Sequence, residues 1–239
     1  MLFSNEKVAD FINNNFEPAW QSVRDVPMVK IDFGNGHVLT RTLHGNVATY
    51  VITSEGKVLD IMPGVYEPQT YLNRLRQFVL LGKFATQSGR RQEELIKNYH
   101  ERQAAALKSG KSREEFYEVR IPGAGASIFA SERSVKIALQ PAQRIATRAA
   151  IAQRPQLRAR LTPPDPDSAK DLAGWKALAE DTEVNESVRR QLIHAHLAEQ
   201  GLVTPKAVTK WLYREVLHAD LDDPYLGLGK ILFPGGVPN

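Results

Sequence analysis

The chain has 239 residues, 42% of them hydrophobic, with 31 Lys and Arg against 27 Asp and Glu, a net charge of +4, and no cysteine. That length can bury the core of one large domain or two small ones, while the missing cysteine excludes disulfides, thiolate metal sites and thiol nucleophiles. No apolar run approaches the roughly 20 residues of a membrane span, and Met1 to Glu6 lacks the basic start and apolar stretch of a secretory signal, so a cytoplasmic location is the default expectation.

Val8, Phe11, Ile12 and Phe16 fall at helical spacing behind Ser4 and Asn5, either of which can cap, so a helix is predicted over 5–16, closed by Pro18. Met28–Phe33 alternates and is β-branched, Gly34-Asn35-Gly36 is a turn, and His37–Leu43 is the return strand of a hairpin. A second pair follows: Val47–Thr53, apolar enough for a buried strand, the turn Ser54–Lys57, and Val58–Met62, closed by Pro63-Gly64. Pro68 then opens a helix whose Tyr71, Leu72, Leu75, Phe78 and Val79 form an apolar stripe that packs on the sheet.

From Gly89 the character changes. Arg90–Leu107 reads as a charged helix, broken at Gly110-Lys111-Ser112 and resumed over Arg113–Arg120, before a loop over Ile121–Ser127. Val135–Leu139 fits a strand or a helical turn, and Ala142–Gln153 is an alanine-rich helix. Three prolines make 162–168 a linker. Three short helices follow: one capped by Ser168 and running to about Glu180, one capped by Asn185 and stopped by Gly201, and one capped by Thr204 with Pro205 at its first position. Val208, Trp211, Leu212 and Val216 are the buried face of the last, and the tail from Asp222 is irregular. The expected parts are an α/β segment 1–85, a basic helical region 86–161, the linker 162–168, and a helical segment 169–239.

Charge is unevenly placed. Residues 1–69 hold 5 Lys/Arg and 8 Asp/Glu, net −3; residues 70–160 hold 18 and 7, net +11; residues 161–239 hold 8 and 12, net −4. The basic middle either packs against its acidic neighbours or faces an anionic partner such as nucleic acid. In the second case Arg144, Arg148, Arg154, Arg158 and Arg160 are the candidate phosphate contacts, although no DNA-reading motif surrounds them and few aromatics stand nearby for base stacking.

His218, Asp220, Asp222 and Asp223 form the densest cluster of chemistry-bearing residues. One imidazole and three carboxylates can hold a divalent metal or divide acid and base roles; the same residues also suit a helix end and a turn. Leu226–Lys230 lacks the glycine pattern and the preceding strand of a phosphate loop. His37 and His44 fall on opposite faces of one strand, and His194 and His196 point different ways on a helix. No nucleophile elbow, P-loop or zinc motif is present, so no catalytic residue is assigned and no cofactor is implied.

Ala48-Thr49 is followed by an apolar strand, Gly56 comes eight residues after Ala48, and Gly64 eight residues later, ahead of the helix from Pro68. This succession resembles the strand–turn–strand–helix end of the thioredoxin-like superfamily, and Val8–Phe16 is similar to the helix leading into that family's second core strand, which would be Met28–Phe33. The resemblance covers about residues 3–80 and implies an α/β fold: a degenerate or incomplete thioredoxin-like sheet-helix part, followed by a mainly α-helical C-terminal region. The family's two cysteines with two residues between them are missing, and Ala48 stands where most members carry a cis-proline. A cis bond there would cost about 2.5–4 kcal/mol, so trans is expected. The first strand of the fold is also lacking. The expected function is therefore a non-redox interaction or scaffold module with a protein partner. The alternatives are anion binding through 70–160, and an oxidoreductase-like chain without its N-terminal active-site segment. A second copy that completes the sheet would make the chain an oligomer.

Overall fold

A computed structural model of the chain describes residues 2–42, 47–110, 112–122, 125–134 and 172–229. An N-terminal region of short antiparallel strands and helices is followed by a C-terminal region that is mainly α-helical, which is the α/β-to-helical order the sequence predicts. Val135–Leu139, the helix over Ala142–Gln153, the linker 162–168 and the arginines from Arg144 to Arg160 lie outside the described residues.

Helix α1 (Glu6–Asn15) starts where the Asn5 side chain accepts from the Val8 N–H at 3.3 Å. Val8 is fully buried, and Phe11 lies under the Arg76 guanidinium. Strands β1 (Met28–Asp32) and β2 (Val38–Thr42) pair antiparallel, with Ile31 opposite Leu39. Gly34 and Gly36 adopt φ of +71° and +83°, and Asp32 and Asn35 each accept a backbone N–H of the turn. Each described sheet has two strands, so β1 does not join β3 in the core-strand position the resemblance assigns to Met28–Phe33.

Strands β3 (Ala48–Ile52) and β4 (Val58–Pro63) pair antiparallel; β4 is wholly buried, whereas β3 falls short of the buried strand expected, with Val51 buried, Ala48 to Tyr50 half-buried and Ile52 exposed. Their ladder slips between Val51 and Ile52: Val51 faces Asp60 and Ile52 faces Val58, which leaves Leu59 bulged. The bulge resets the alternation along β4, every residue of which is buried. Leu59 and Met62 face a core built with α2 (Pro68–Gln87) and α3 (Gln92–Lys108); Val58 and Ile61, also three apart, face a second core built by the C-terminal helices. Ala48 follows a trans peptide, since the described residues contain no cis bond.

Residues 113–120 do not resume a helix. They lie in β5 (Ser112–Ile121), which pairs along its whole length with β6 (Gly125–Ser134). The expected loop is correspondingly short, because its flanking residues Ile121 and Gly125 are themselves a cross-strand pair. Two glutamines explain how this strand is held. Gln77 of α2 accepts from the Phe116 N–H at 2.6 Å and donates to the Phe116 carbonyl at 3.2 Å. Gln103 of α3 does the same at Glu114, at 3.1 and 2.5 Å. Two side-chain amides thus stand in for a neighbouring strand along one edge of β5.

The first predicted break among the C-terminal helices is absent. Helix α4 (Leu172–Val184) runs through a wide π turn (Asn185–Arg189) into α5 (Arg190–Gln200). Asn185 does not cap, because Val184 before it is already helical. Its amide is buried instead, donating to the Val65 carbonyl at 2.8 Å and accepting from Arg189 at 2.6 Å. Gly201, at φ +70°, ends α5, and Pro205 opens α6 (Pro205–Trp211) after Thr204. A second π turn (Leu212–Val216) follows. Val208, Leu212 and Val216 are buried as expected, while Trp211 is half-buried and stacks on His196 with ring centroids 3.7 Å apart.

Candidate functional site

Between β4, α3 and α5 lies the densest group of ionisable side chains, and almost none of it reaches solvent. Asp60, Tyr66, Arg74, Tyr99, His100, Glu186, Arg190 and His194 each expose at most 3% of their surface. Asp60 is the hub. Arg190 donates to both of its oxygens, at 2.8 and 3.3 Å, and to the Ile61 carbonyl at 3.0 Å. The Tyr99 hydroxyl and the Ile61 N–H complete the shell of the carboxylate at 3.2 and 2.7 Å. Burial alone would raise the pKa of Asp60, but Arg190 and the neighbouring imidazoles hold it far below the usual carboxylate range. Burial opposes the charge on Arg190 as well; Asp60 and Glu186 more than restore it.

The two histidines extend this pair, and their proton positions follow from geometry. Arg190 Nη2 lies 2.9 Å from His194 Nε2, and His194 Nδ1 lies 2.8 Å from His100 Nδ1. A guanidinium only donates, so His194 Nε2 accepts and its single proton sits on Nδ1. That proton is donated to His100 Nδ1, so His100 carries its own proton on Nε2. This buried Nε2 meets no hydrogen-bond partner among the described residues. Burial, opposed by Asp60, pushes His100 down to about 4 and His194 well below its ordinary value. Both rings are therefore neutral at pH 7.

A second lobe joins the same elements to the β5–β6 hairpin. Glu186 Oε2 accepts from Arg74 Nε at 2.9 Å and from Arg113 Nη1 at 2.5 Å. Arg113 also donates from Nε to Glu115 at 2.8 Å. Burial works against the carboxylate of Glu186, and the two arginines keep it ionised. Chemically, the centre of the network is internally paired: Asp60 is surrounded by donors, His194 is engaged at both ring nitrogens, and no thiol is present, while the buried Tyr66 hydroxyl, Arg74 Nη2, His100 Nε2 and Glu186 Oε1 meet no hydrogen-bond partner among the described residues. Such an arrangement fixes α5 against β4 and α3. A catalytic acid or base needs a lone pair or proton within reach of substrate, and these groups face one another instead.

The sequence-predicted cluster is placed differently. His218 has φ of +53° at the end of the second π turn. Asp220 accepts from the Asp222 N–H at 3.0 Å, Asp223 from the Tyr225 N–H at 2.7 Å, and Asp222 forms an exposed ion pair with Lys210 at 2.8 Å. The carboxylates thus shape a turn, onto which Arg24 folds by donating to the carbonyls of Leu221, Asp223 and Pro224. Among the described residues, no three His, Asp or Glu side chains are grouped to hold a metal ion. Leu226–Gly229 continues the turns without a preceding strand, with Leu226 and Gly227 at φ of +54° and +82°. Part of the positive charge of 70–160 is neutralised within the fold: Arg74 and Arg113 are buried on Glu186, and Lys83 pairs with Glu118 at 2.9 Å.

Sequence reasoning did not single out Asp60, His100, Glu186 or Arg190. Their partners are far away along the chain: 94 residues separate the histidines and 130 separate Asp60 from Arg190. The one local signal is an aspartate in the middle of an otherwise apolar strand, Val58–Met62, where a buried charge demands a partner. None of the described helices is long and apolar enough to cross a membrane. Comparison with protein-family models, curated proteins and solved structures finds no match to this chain.

Proposed function

We propose that the chain is a non-redox interaction module, whose buried ionisable groups hold the fold and whose exposed apolar segment meets a protein partner. One observation carries this reading: the distribution of apolar surface. The core buries its aliphatic and aromatic side chains almost completely, yet Trp20, Met28 and Phe33 expose 90%, 72% and 59% of their surface. Val23, Val26, Ile31, Val38 and Leu39 are exposed in the same stretch. Large exposed apolar side chains gathered in one segment of a folded chain point to an interaction site. The absence of cysteine fits this role, and the order β3, β4, α2 supports a thioredoxin-like origin for this part without thiol chemistry.

The test is affinity capture with the intact chain and with a W20S/F33S variant, chosen because neither ring is part of the core. A partner retained by the first and lost by the second is the expected result. Equal retention by both would place recognition elsewhere, and no specific capture by either would overturn the reading. Anion binding through the basic middle rests on Arg144, Arg148, Arg154, Arg158 and Arg160, all outside the described residues.

A further inference from the structure

The β1–β2 hairpin differs from the β5–β6 hairpin in what lies along its edge. The described ladder pairs β1 with β2 alone. Phe33 N–H donates to the His37 carbonyl at 3.1 Å, so by the antiparallel alternation Phe33, Ile31 and Val29 turn their backbone groups toward β2. Met28, Lys30 and Asp32 turn theirs outward. Among the described residues, none of these three outward positions meets another backbone group. By contrast, the side chains of Gln77 and Gln103 cover the edge of β5. A lone two-stranded hairpin is marginal in water, and an uncovered edge beside apolar side chains is a template for a further strand.

The sequence of β1 indicates which strand fits. Lys30 and Asp32 stand symmetrically about Ile31, and Val29 and Phe33 stand symmetrically outside them. If two copies of β1 run antiparallel about a dyad at Ile31, the outward backbone groups of Lys30 meet those of Asp32 in the other copy, and the reverse. The same register sets Lys30 opposite the second copy's Asp32 on one face. On the other face it sets Ile31 against Ile31 and Val29 against Phe33. Hydrogen bonding, charge and apolar contact are all satisfied in one register, which a chance partner strand would not provide.

We infer that β1 is a self-pairing edge, and that two copies of the chain join through it into a four-stranded antiparallel sheet with the symmetry of an isologous dimer. The inference rests on the reading of the chain as an interaction module and adds a partner to it, a second copy. Sedimentation equilibrium on the intact chain and on K30E and D32K tests it, with circular dichroism to verify that each variant stays folded. The unmodified chain is expected to be a dimer. Each substitution places two like-charge pairs across the dyad, so each variant alone should dimerise roughly ten-fold or more weakly. An equimolar mixture of the two restores opposite charges and should recover the dimer. A chain that is monomeric at high micromolar concentration would overturn the inference, as would a dimer indifferent to both substitutions. If a monomeric chain still captures a foreign protein that W20S/F33S loses, self-pairing falls and the interaction reading stands.

Discussion

A third proton has no place in the His100–His194 pair. A second proton on His194 would face the Arg190 guanidinium, and one on His100 would face the Nδ1–H of His194. In the unfolded chain both rings titrate near 6.5. Their folded values are depressed, His100 to about 4, so the unfolded state binds more protons below pH 6.5 and stability falls as the pH drops. Urea unfolding should show a loss of about 2 kcal/mol from His100 between pH 7.5 and 5, with His194 adding to it in the same direction, a window in which carboxylates contribute little. His100→Leu should flatten that slope; an unchanged slope would contradict the proton arrangement. Arg190→Met should cost about 3–5 kcal/mol, because it leaves Asp60 charged and buried. Adding Asp60→Leu should recover much of that loss, and a double-mutant cycle reads the coupling. Beyond the aspartate inside the apolar strand Val58–Met62, none of this was legible from local sequence, since each residue takes its meaning from a partner on another element. The aspartate, threonine and glutamate roles within a few residues of their targets follow ordinary turn and cap chemistry.

The helices and hairpins with strong punctuation were readable: Asn5, Gly34, Gly36, Gly56, Pro68, Gly201 and Pro205 stand where the chain turns, starts or stops. Residues 113–120 were not, because two arginines and three glutamates hide the alternation, and the strand is held by Gln77 and Gln103 from distant helices. Asn185 misled for the opposite reason, as a good capping residue whose amide is engaged with Val65 and Arg189. Two predictions follow from these contacts. Gln103→Leu should cost about 2–3 kcal/mol by removing both of the hydrogen bonds that Gln103 makes to the Glu114 backbone, measured by thermal or urea unfolding. Gly56 and Gly64 share φ of +73°, yet a Cβ at Gly56 meets nothing within 4 Å, whereas at Gly64 it would lie 3.0 Å from the Asn185 amide. Gly56→Ala should therefore cost about 1–2 kcal/mol of backbone strain, and Gly64→Ala distinctly more in the same assay.

Strand β4 belongs to two cores at once, with Leu59 and Met62 on one side and Val58 and Ile61 on the other. Asp60, between them, has its ion-pair partner among the described residues in Arg190 of a C-terminal helix. The N-terminal region cannot keep its centre without α5 and α6, so heating should give one cooperative transition for the described parts. A chain cut before Leu172 is expected to lose that transition and to bind a dye for exposed apolar surface. A sharp transition in the cut chain would show that the N-terminal elements suffice. The coarse order of the molecule, strands first and helices later, was readable because hydrophobic period is a local property. The shared strand was not, because an apolar run does not reveal how many cores it serves.

Glu186, Arg190 and His194 succeed one another at intervals of four, and all three are buried in the same network. An ideal α-helix advances about 100° per residue, and the wide turn at Asn185–Arg189 alters that advance where the network is built. Deleting a single residue there would swing the preceding helix by about 100° relative to Arg190, and Glu186 would turn away from Arg74 and Arg113. The spacing of this turn is thus under a tighter constraint than its composition: many side-chain replacements on its outer side are tolerable, but a one-codon gap would put the whole charge lattice out of phase.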